Sequence, residues 1–154
     1  MPSSPQRDKK HEGLSVFLGT WTSRGMSYGG ADQSGDDPKA NGKPWLGTCE
    51  GRWHTGSFFL VQDERVDIAG SRFDTLSVMG VGEDGKYFAR SFENHGYSRN
   101  YEVHRSGNLW KILGDSERAN IKFADEGKKQ TIHWEWKVGK KWLPLCDQVA
   151  TKID

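Results

Sequence analysis

Short segments in which apolar and polar residues alternate run through most of this chain. From Trp45 onward, stretches rich in aromatic and β-branched residues are interrupted about every ten residues by turns that contain Gly, Asn or Asp. The separating segments are too short for the helical crossover that a parallel strand pair needs. The pattern therefore predicts antiparallel strands at 20–28, 45–54, 57–67, 71–81, 86–94, 99–105, 108–114, 117–124, 129–138 and 141–151.

Alternation within single strands indicates which side chains point inward. In the segment 131–138, Ile132, Trp134 and Trp136 share one face, and polar residues occupy the other. Each such strand has one apolar and one solvated face, as a barrel wall would. About ten strands with no helices to cover them are expected to close on themselves, because closure removes exposed edges. The predicted fold is all-β: a single antiparallel up-and-down β-barrel of about ten strands.

The first 44 residues are less regular. Residues 1–10 are rich in Pro, Ser and charge and are predicted to form a disordered head. Apolar residues at helical spacing in 11–18 predict a short helix ended by Gly19. The segment 29–44 is rich in Gly, Asp, Asn and Pro, which predicts a long loop. The barrel domain is thus expected to span 11–154.

Composition narrows the function classes. The chain has 154 residues, enough for one domain, and a net charge of +1, which argues against nucleic-acid binding. Its hydrophobic runs are too short to span a bilayer, and the N-terminus lacks the apolar stretch of a secretory signal. Cys49 and Cys146 have no metal-type spacing and are expected to be free thiols. We therefore expect a cytoplasmic protein without nucleic-acid or membrane partners; a homodimer is left open.

The start of the first strand carries a family signature. Gly19-Thr20-Trp21, just after the predicted helix, resembles the Gly-x-Trp motif of the calycins. The resemblance implies that Trp21 packs across the closed end of the barrel. It also implies a basic residue from late in the chain over that ring, for which Lys152 is the candidate.

A wider layout resembles a family of short, mostly bacterial domains of unknown function with a lipocalin-like barrel. The resemblance covers roughly 11–152 and supports the fold, but it implies no particular activity. The segment 29–44 is an insertion relative to the usual pattern. The residues that carry the resemblance are His11, Leu14, Leu18 to Trp21, Gly56 to Leu60, Met79 to Val81, Gly82, Gly85 to Tyr87, Thr151 and Lys152.

The first functional hypothesis is a binding module that holds a small apolar or anionic ligand in its lumen. Fatty-acid-binding calycins, a more distant resemblance, hold carboxylates with an internal Arg and Tyr. Arg90 is the candidate anchor, with Tyr101 as the Tyr, if Arg90 points inward. A one-residue change of register would instead place Tyr87 and Ala89 inside and Arg90 in water. The predicted lining residues are Phe58, Leu60, Phe88, Arg90, Phe92, Tyr101, Trp134 and Trp136.

Three alternatives remain. The chain also resembles nitrobindin, a haem-binding calycin, and His133 is then the candidate haem ligand; otherwise no cofactor is expected. An enzyme of isomerase or lyase type could use the cavity, although no catalytic residues stand out, and no metal site is predicted. Finally, side chains could fill the lumen, and the protein would then act through its surface.

Overall fold

The computed structural model describes residues 3–153, and its ten strands form one closed antiparallel barrel. The predicted fold class is confirmed, and most strand ends fall within two residues of the prediction. A short helix, α1 (Lys9–Gly13), continues into a 3₁₀ turn, Leu14–Phe17. The strands are β1 (Gly19–Ser27), β2 (Lys43–Trp53), β3 (Leu60–Ile68), β4 (Ser71–Val81), β5 (Tyr87–Glu93), β6 (Ser98–Ser106), β7 (Leu109–Leu113), β8 (Glu117–Ala124), β9 (Lys129–Val138) and β10 (Lys141–Lys152).

The barrel closes where its first and last strands meet. Each strand pairs with the next in sequence, and β1 also pairs with β10. Trp21 thus lies between Cys49 of β2 and Lys152 of β10. Among residues 3–153, no helix has the length and apolar character needed to cross a bilayer.

The N-terminal segment plugs one end of the barrel, here called the lower end. Asp8 caps α1 by accepting hydrogen bonds from the backbone N–H groups of Lys10 and His11. Leu14 and Phe17, in the 3₁₀ turn, are fully buried in the barrel core. The helix begins at Lys9, inside the predicted disordered head, and residues 3–8 have no regular secondary structure.

Trp21 is buried at this lower end, as the calycin resemblance implies. Its side chain is 1% exposed, and its indole N–H donates to the carbonyl oxygen of Phe17 at 3.3 Å. Among residues 3–153, the cation–π contacts do not include the expected one between Lys152 and Trp21; Phe123 packs against the Trp21 ring, with centroids 6.4 Å apart. Within the described chain, the cation over a fully buried tryptophan is Arg105, 5.3 Å from the ring of Trp110.

Candidate functional site

Arg90 lies on the outer face of the barrel, so the prediction that it anchors a ligand in the lumen is wrong. Tyr87 and Ala89 are the buried residues of β5, which is the alternative register. Arg90 is exposed, and its Nε donates to Oδ1 of Asn100 at 2.8 Å. The outward register avoids burying a guanidinium among apolar side chains.

Three aromatic residues that were predicted to line the lumen lie outside it. Phe88 and Phe92 share the outer face of β5 with Arg90; Phe88 packs on Phe59, and Phe92 is exposed. Phe58 precedes β3 and contacts the ring of His11 beside the lower end. The prediction failed for Phe88 and Phe92 because the outer face of β5 carries aromatic residues, so alternation there does not distinguish the two faces. It failed for Phe58 because β3 begins only at Leu60.

The other four predicted residues follow the inner wall. Leu60 is fully buried in the lower core, and Tyr101 is buried above it. Trp134 packs against the core, with its ring 5.9 Å from that of Tyr101. Trp136 continues the same face of β9 toward the upper end, opposite Glu117 of β8. Tyr101, Trp134 and Trp136 form an aromatic wall.

The two halves of the lumen differ in how they are filled. In the lower half, inward residues have almost no accessible surface, as Leu60 at 0% and Met79 at 2% show. One row higher, register places Gln62, Ser77 and Ser91 side by side on the same inner face. All three retain accessible surface despite pointing inward. Solvent therefore reaches inward-facing side chains in the upper half of the barrel.

Arg99 is the cation of this upper row. It pairs in register with Ser91 and lies 3.5 Å from the carboxylate of Glu117. The Tyr101 hydroxyl donates to the other oxygen of Glu117 at 3.3 Å. Burial, followed by the charge of Glu117, raises the pKa of Tyr101 to about 12, so its hydroxyl stays protonated and can donate. Arg99, Tyr101 and Glu117 form a polar anchor beside the aromatic wall.

A second polar group lies across the lumen. Gln148 of β10 donates through Nε2 to Oε2 of Glu64 and to Oγ of Ser23, each at 3.4 Å. Glu64 belongs to the same inner face of β3 as Leu60 and Gln62. Burial raises the pKa of the Glu64 carboxyl.

The two cysteines are free thiols, as predicted. Burial, together with the nearby Glu64 carboxylate, raises the pKa of Cys49. Burial raises the pKa of Cys146 to about 12. Both groups therefore remain thiols at neutral pH, which makes them poor nucleophiles.

The β1–β2 connection, residues 28–42, is tied to the rim at β9 and β10. Gln33 accepts a hydrogen bond from the Trp136 indole N–H at 2.8 Å and donates to the Pro144 carbonyl oxygen at 2.7 Å. Tyr28 and Lys39 both donate to Oδ2 of Asp147, at 2.7 and 2.9 Å. The predicted loop thus folds against the upper rim beside the aromatic wall.

His133, the candidate haem ligand, is on the outer face. Its Nδ1 lies 2.6 Å from Oδ1 of Asp147, and the pair lines a surface depression of about 390 Å³. Another depression, of about 850 Å³, is lined by outward side chains such as Met26 and Leu46 together with Trp45 and Gln148 of the inner face. His133 is therefore not a lumen residue. Within residues 3–153, no cluster of three or more His, Cys, Asp or Glu side chains is arranged to hold a metal ion.

Arg99, Glu117 and Glu64 are not among the residues that the sequence pattern predicts to line the lumen. Glu64 lies in the run Asp63-Glu64-Arg65, where three consecutive charges leave no apolar alternation to reveal the inward position. Arg99 stands two residues before Tyr101, and this spacing could have placed both on one face.

These features define a class of protein: a closed ten-stranded antiparallel barrel that is plugged at one end and has solvent-accessible inward residues toward the other. One solved structure of this type is the zebrafish ileal bile acid-binding protein complexed with cholic acid. It matches 90% of this chain and 100% of its own, with a TM-score of 0.53 and 11% sequence identity. This similarity establishes the fold. No protein-family model and no curated protein matches the sequence.

Proposed function

We propose that this protein is a carrier that binds an amphipathic small molecule with an acidic group in the upper half of its barrel. The observation that carries the proposal is the position of Arg99, which points into the lumen beside Tyr101 and the aromatic wall. Arg99 takes the role of ligand anchor that the sequence pattern predicted for Arg90. Apolar walls with a few convergent polar groups are the usual form of a small-molecule site.

The geometry leaves the anchor available to a ligand. Arg99 and Glu117 are 29% and 22% exposed, and their 3.5 Å separation is long for a charge-assisted hydrogen bond. A ligand carboxylate that replaced Glu117 at the guanidinium would form shorter bonds to Arg99, provided that Glu117, which is 22% exposed, turns toward solvent so that the two carboxylates do not repel each other. It would also accept a hydrogen bond from the Tyr101 hydroxyl.

The comparison adds support of a general kind. The zebrafish protein holds cholic acid, which is an amphipathic acid, and the two barrels share their architecture. A rigid apolar ligand body would lie against Trp134 and Trp136. We place the carrier in the cytoplasm, since two free thiols suit a reducing compartment.

The test is a titration of the purified protein with cholate and with dodecanoate, followed by tryptophan fluorescence and calorimetry. Arg99→Gln should weaken binding by roughly 10- to 100-fold, as expected for the loss of a charge-assisted hydrogen bond. Arg90→Gln is the matched control, because it removes an arginine from the outer face of the neighbouring strand and should leave binding unchanged. Failure of both acids to bind, or equal effects of the two substitutions, would overturn the proposal.

A further inference from the structure

Glu64 is a half-buried carboxyl group on the inner face of the barrel, and the hydrogen bond recorded for it is long. Gln148 Nε2, at 3.4 Å, is the hydrogen-bond donor that the described residues supply to it. A buried carboxyl usually has several short hydrogen bonds or a cationic partner. Glu64 is three strands away from Arg99 in the sheet order, so it does not belong to the polar anchor.

A second polar group in the same region lacks an oxygen or nitrogen hydrogen-bond partner. The side chain of Trp45 is 95% buried, and its indole N–H meets no oxygen or nitrogen acceptor in the described structure. The sulfur of Cys146, a weak acceptor, lies beside this N–H. The Trp45 ring also lies against Gly25, whose register partner Gln148 donates to Glu64, so Trp45 and Glu64 both lie near Gln148 on the inner wall.

Glycines open this region. A Cβ on Gly25 would come within 2.5 Å of the Trp45 ring, and a Cβ on Gly47 within 3.2 Å of it. Gly25 also pairs in register with Gln148. The missing side chains on β1 and β2 leave room for the Trp45 ring beside Gln148.

We propose that Glu64, Trp45 and Gln148 form a second polar subsite, which binds a hydroxyl group at the end of the ligand remote from its acid. The inference rests on the proposed function, because it assigns the other end of the same lumen. The preferred ligand class is therefore a hydroxylated amphipathic acid.

The chemistry of the three groups favours a hydroxyl. Trp45 offers a donor only, so its partner must accept, which excludes an ammonium group. A carboxylate would meet the Glu64 carboxyl and be repelled if that group is ionised. A hydroxyl accepts from Trp45 and donates to Glu64, or accepts from both when Glu64 is protonated, so it satisfies them in either state.

Two probes that differ in one group test the subsite: dodecanoate and 12-hydroxydodecanoate. The wild-type protein should bind the hydroxy acid about fivefold or more tightly than the parent acid, because the parent leaves the buried polar groups unpaired. Trp45→Phe, which removes the N–H while keeping a ring, and Glu64→Leu should each abolish this preference. Glu64→Gln should keep part of it, since an amide still pairs with a hydroxyl. Asp63→Asn, on the neighbouring outward position, is the control and should keep all of it.

The outcomes separate the two proposals. If the wild-type protein binds neither acid, both the proposed function and this inference are overturned. The subsite alone is overturned if the wild-type protein binds both acids equally well. It is also overturned if a preference for the hydroxy acid persists in both the Trp45→Phe and the Glu64→Leu variants. Thermal melting of each variant reports whether it folds. If the Glu64→Leu protein does not fold, the Trp45→Phe protein provides the test.

Discussion

Gly51 lies against the backbone of Phe17, so closely that a Cβ at position 51 would be 2.0 Å from the carbonyl oxygen of Phe17. Gly51 is in β2, and Phe17 ends the 3₁₀ turn that plugs the barrel. Real Cβ atoms do not approach a backbone oxygen this closely. The absence of a side chain at position 51 is therefore what lets the N-terminal plug sit against the wall.

Gly51→Ala should destabilise the protein by about 1–3 kcal/mol or more, because either the plug or β2 must move. The measurement is chemical denaturation followed by circular dichroism. Gly35→Ala is the control: nothing lies within 4 Å of its added Cβ, and stability should stay within about 0.5 kcal/mol of wild type. Equal stabilities of the two variants would contradict the close packing.

Trp21→Ala should cost about 3–5 kcal/mol, since it leaves a cavity in the lower core and removes the hydrogen bond to Phe17. Phe92→Ala removes an aromatic ring from the outer face and should cost less than about 1 kcal/mol. Denaturation midpoints of the two variants measure the difference. A Trp21→Ala protein with an unchanged melting temperature would disprove the structural role of this residue.

Cys49 and Cys146 should react slowly with a thiol reagent such as Ellman's reagent at pH 8. The raised pKa of each thiol keeps the reactive thiolate fraction small in the folded state. In denaturant both thiols should react at the rate of ordinary cysteine. Folded and unfolded protein that react equally fast would show that the barrel does not bury these groups.

Asp147 should make the attachment of the 28–42 connection sensitive to acid. Burial alone would raise the pKa of Asp147, but hydrogen bonds from His133, Lys39 and Tyr28 outweigh it and lower the pKa from 3.8 to about 2. At pH values between these two pKa values, the Asp147 carboxyl is therefore protonated to a greater extent in the unfolded protein than in the folded protein. The stabilisation is complete above about pH 4 and is lost as the pH falls towards 2.

Limited proteolysis with pepsin between pH 4 and pH 2 checks this, with cleavage in 28–42 rising as the pH falls. Asp147→Asn should raise the cleavage already at pH 4. Asp36→Asn, in the same connection, should behave as wild type, since its exposed carboxylate is not part of the Asp147 cluster. A cleavage rate in the Asp147→Asn protein that matches wild type at pH 4 would rule out the tether.

The sequence predicts the barrel well because most strands carry a clear contrast between faces. Ile132 and Trp134 alternate with His133 and Glu135, and only one register buries the apolar pair. The hairpin turns also fix which strands are neighbours, so the strand order follows from the order of the chain.

The lumen was harder to predict, because several inward positions in the upper half of the barrel break the alternation. Arg99 and Glu64 are charged residues that point inward, while Phe88 and Phe92 are apolar residues that point outward. A rule that assigns apolar residues to the inside of the barrel therefore places both pairs of residues on the wrong face. The contacts across the lumen, such as Gln148 with Glu64, depend on barrel closure and leave no signal in local sequence.

The pairing of β1 with β10 also has a consequence for biosynthesis. β1 pairs with Lys141–Lys152 of β10, and eight other strands lie between the two in the sequence. During translation one edge of β1 therefore stays unpaired until β10 has left the ribosome. Such a long-range pairing is a slow, entropically costly step. An unpaired edge is a place where nascent chains aggregate, so β1 is the strand that a chaperone would have most reason to shield.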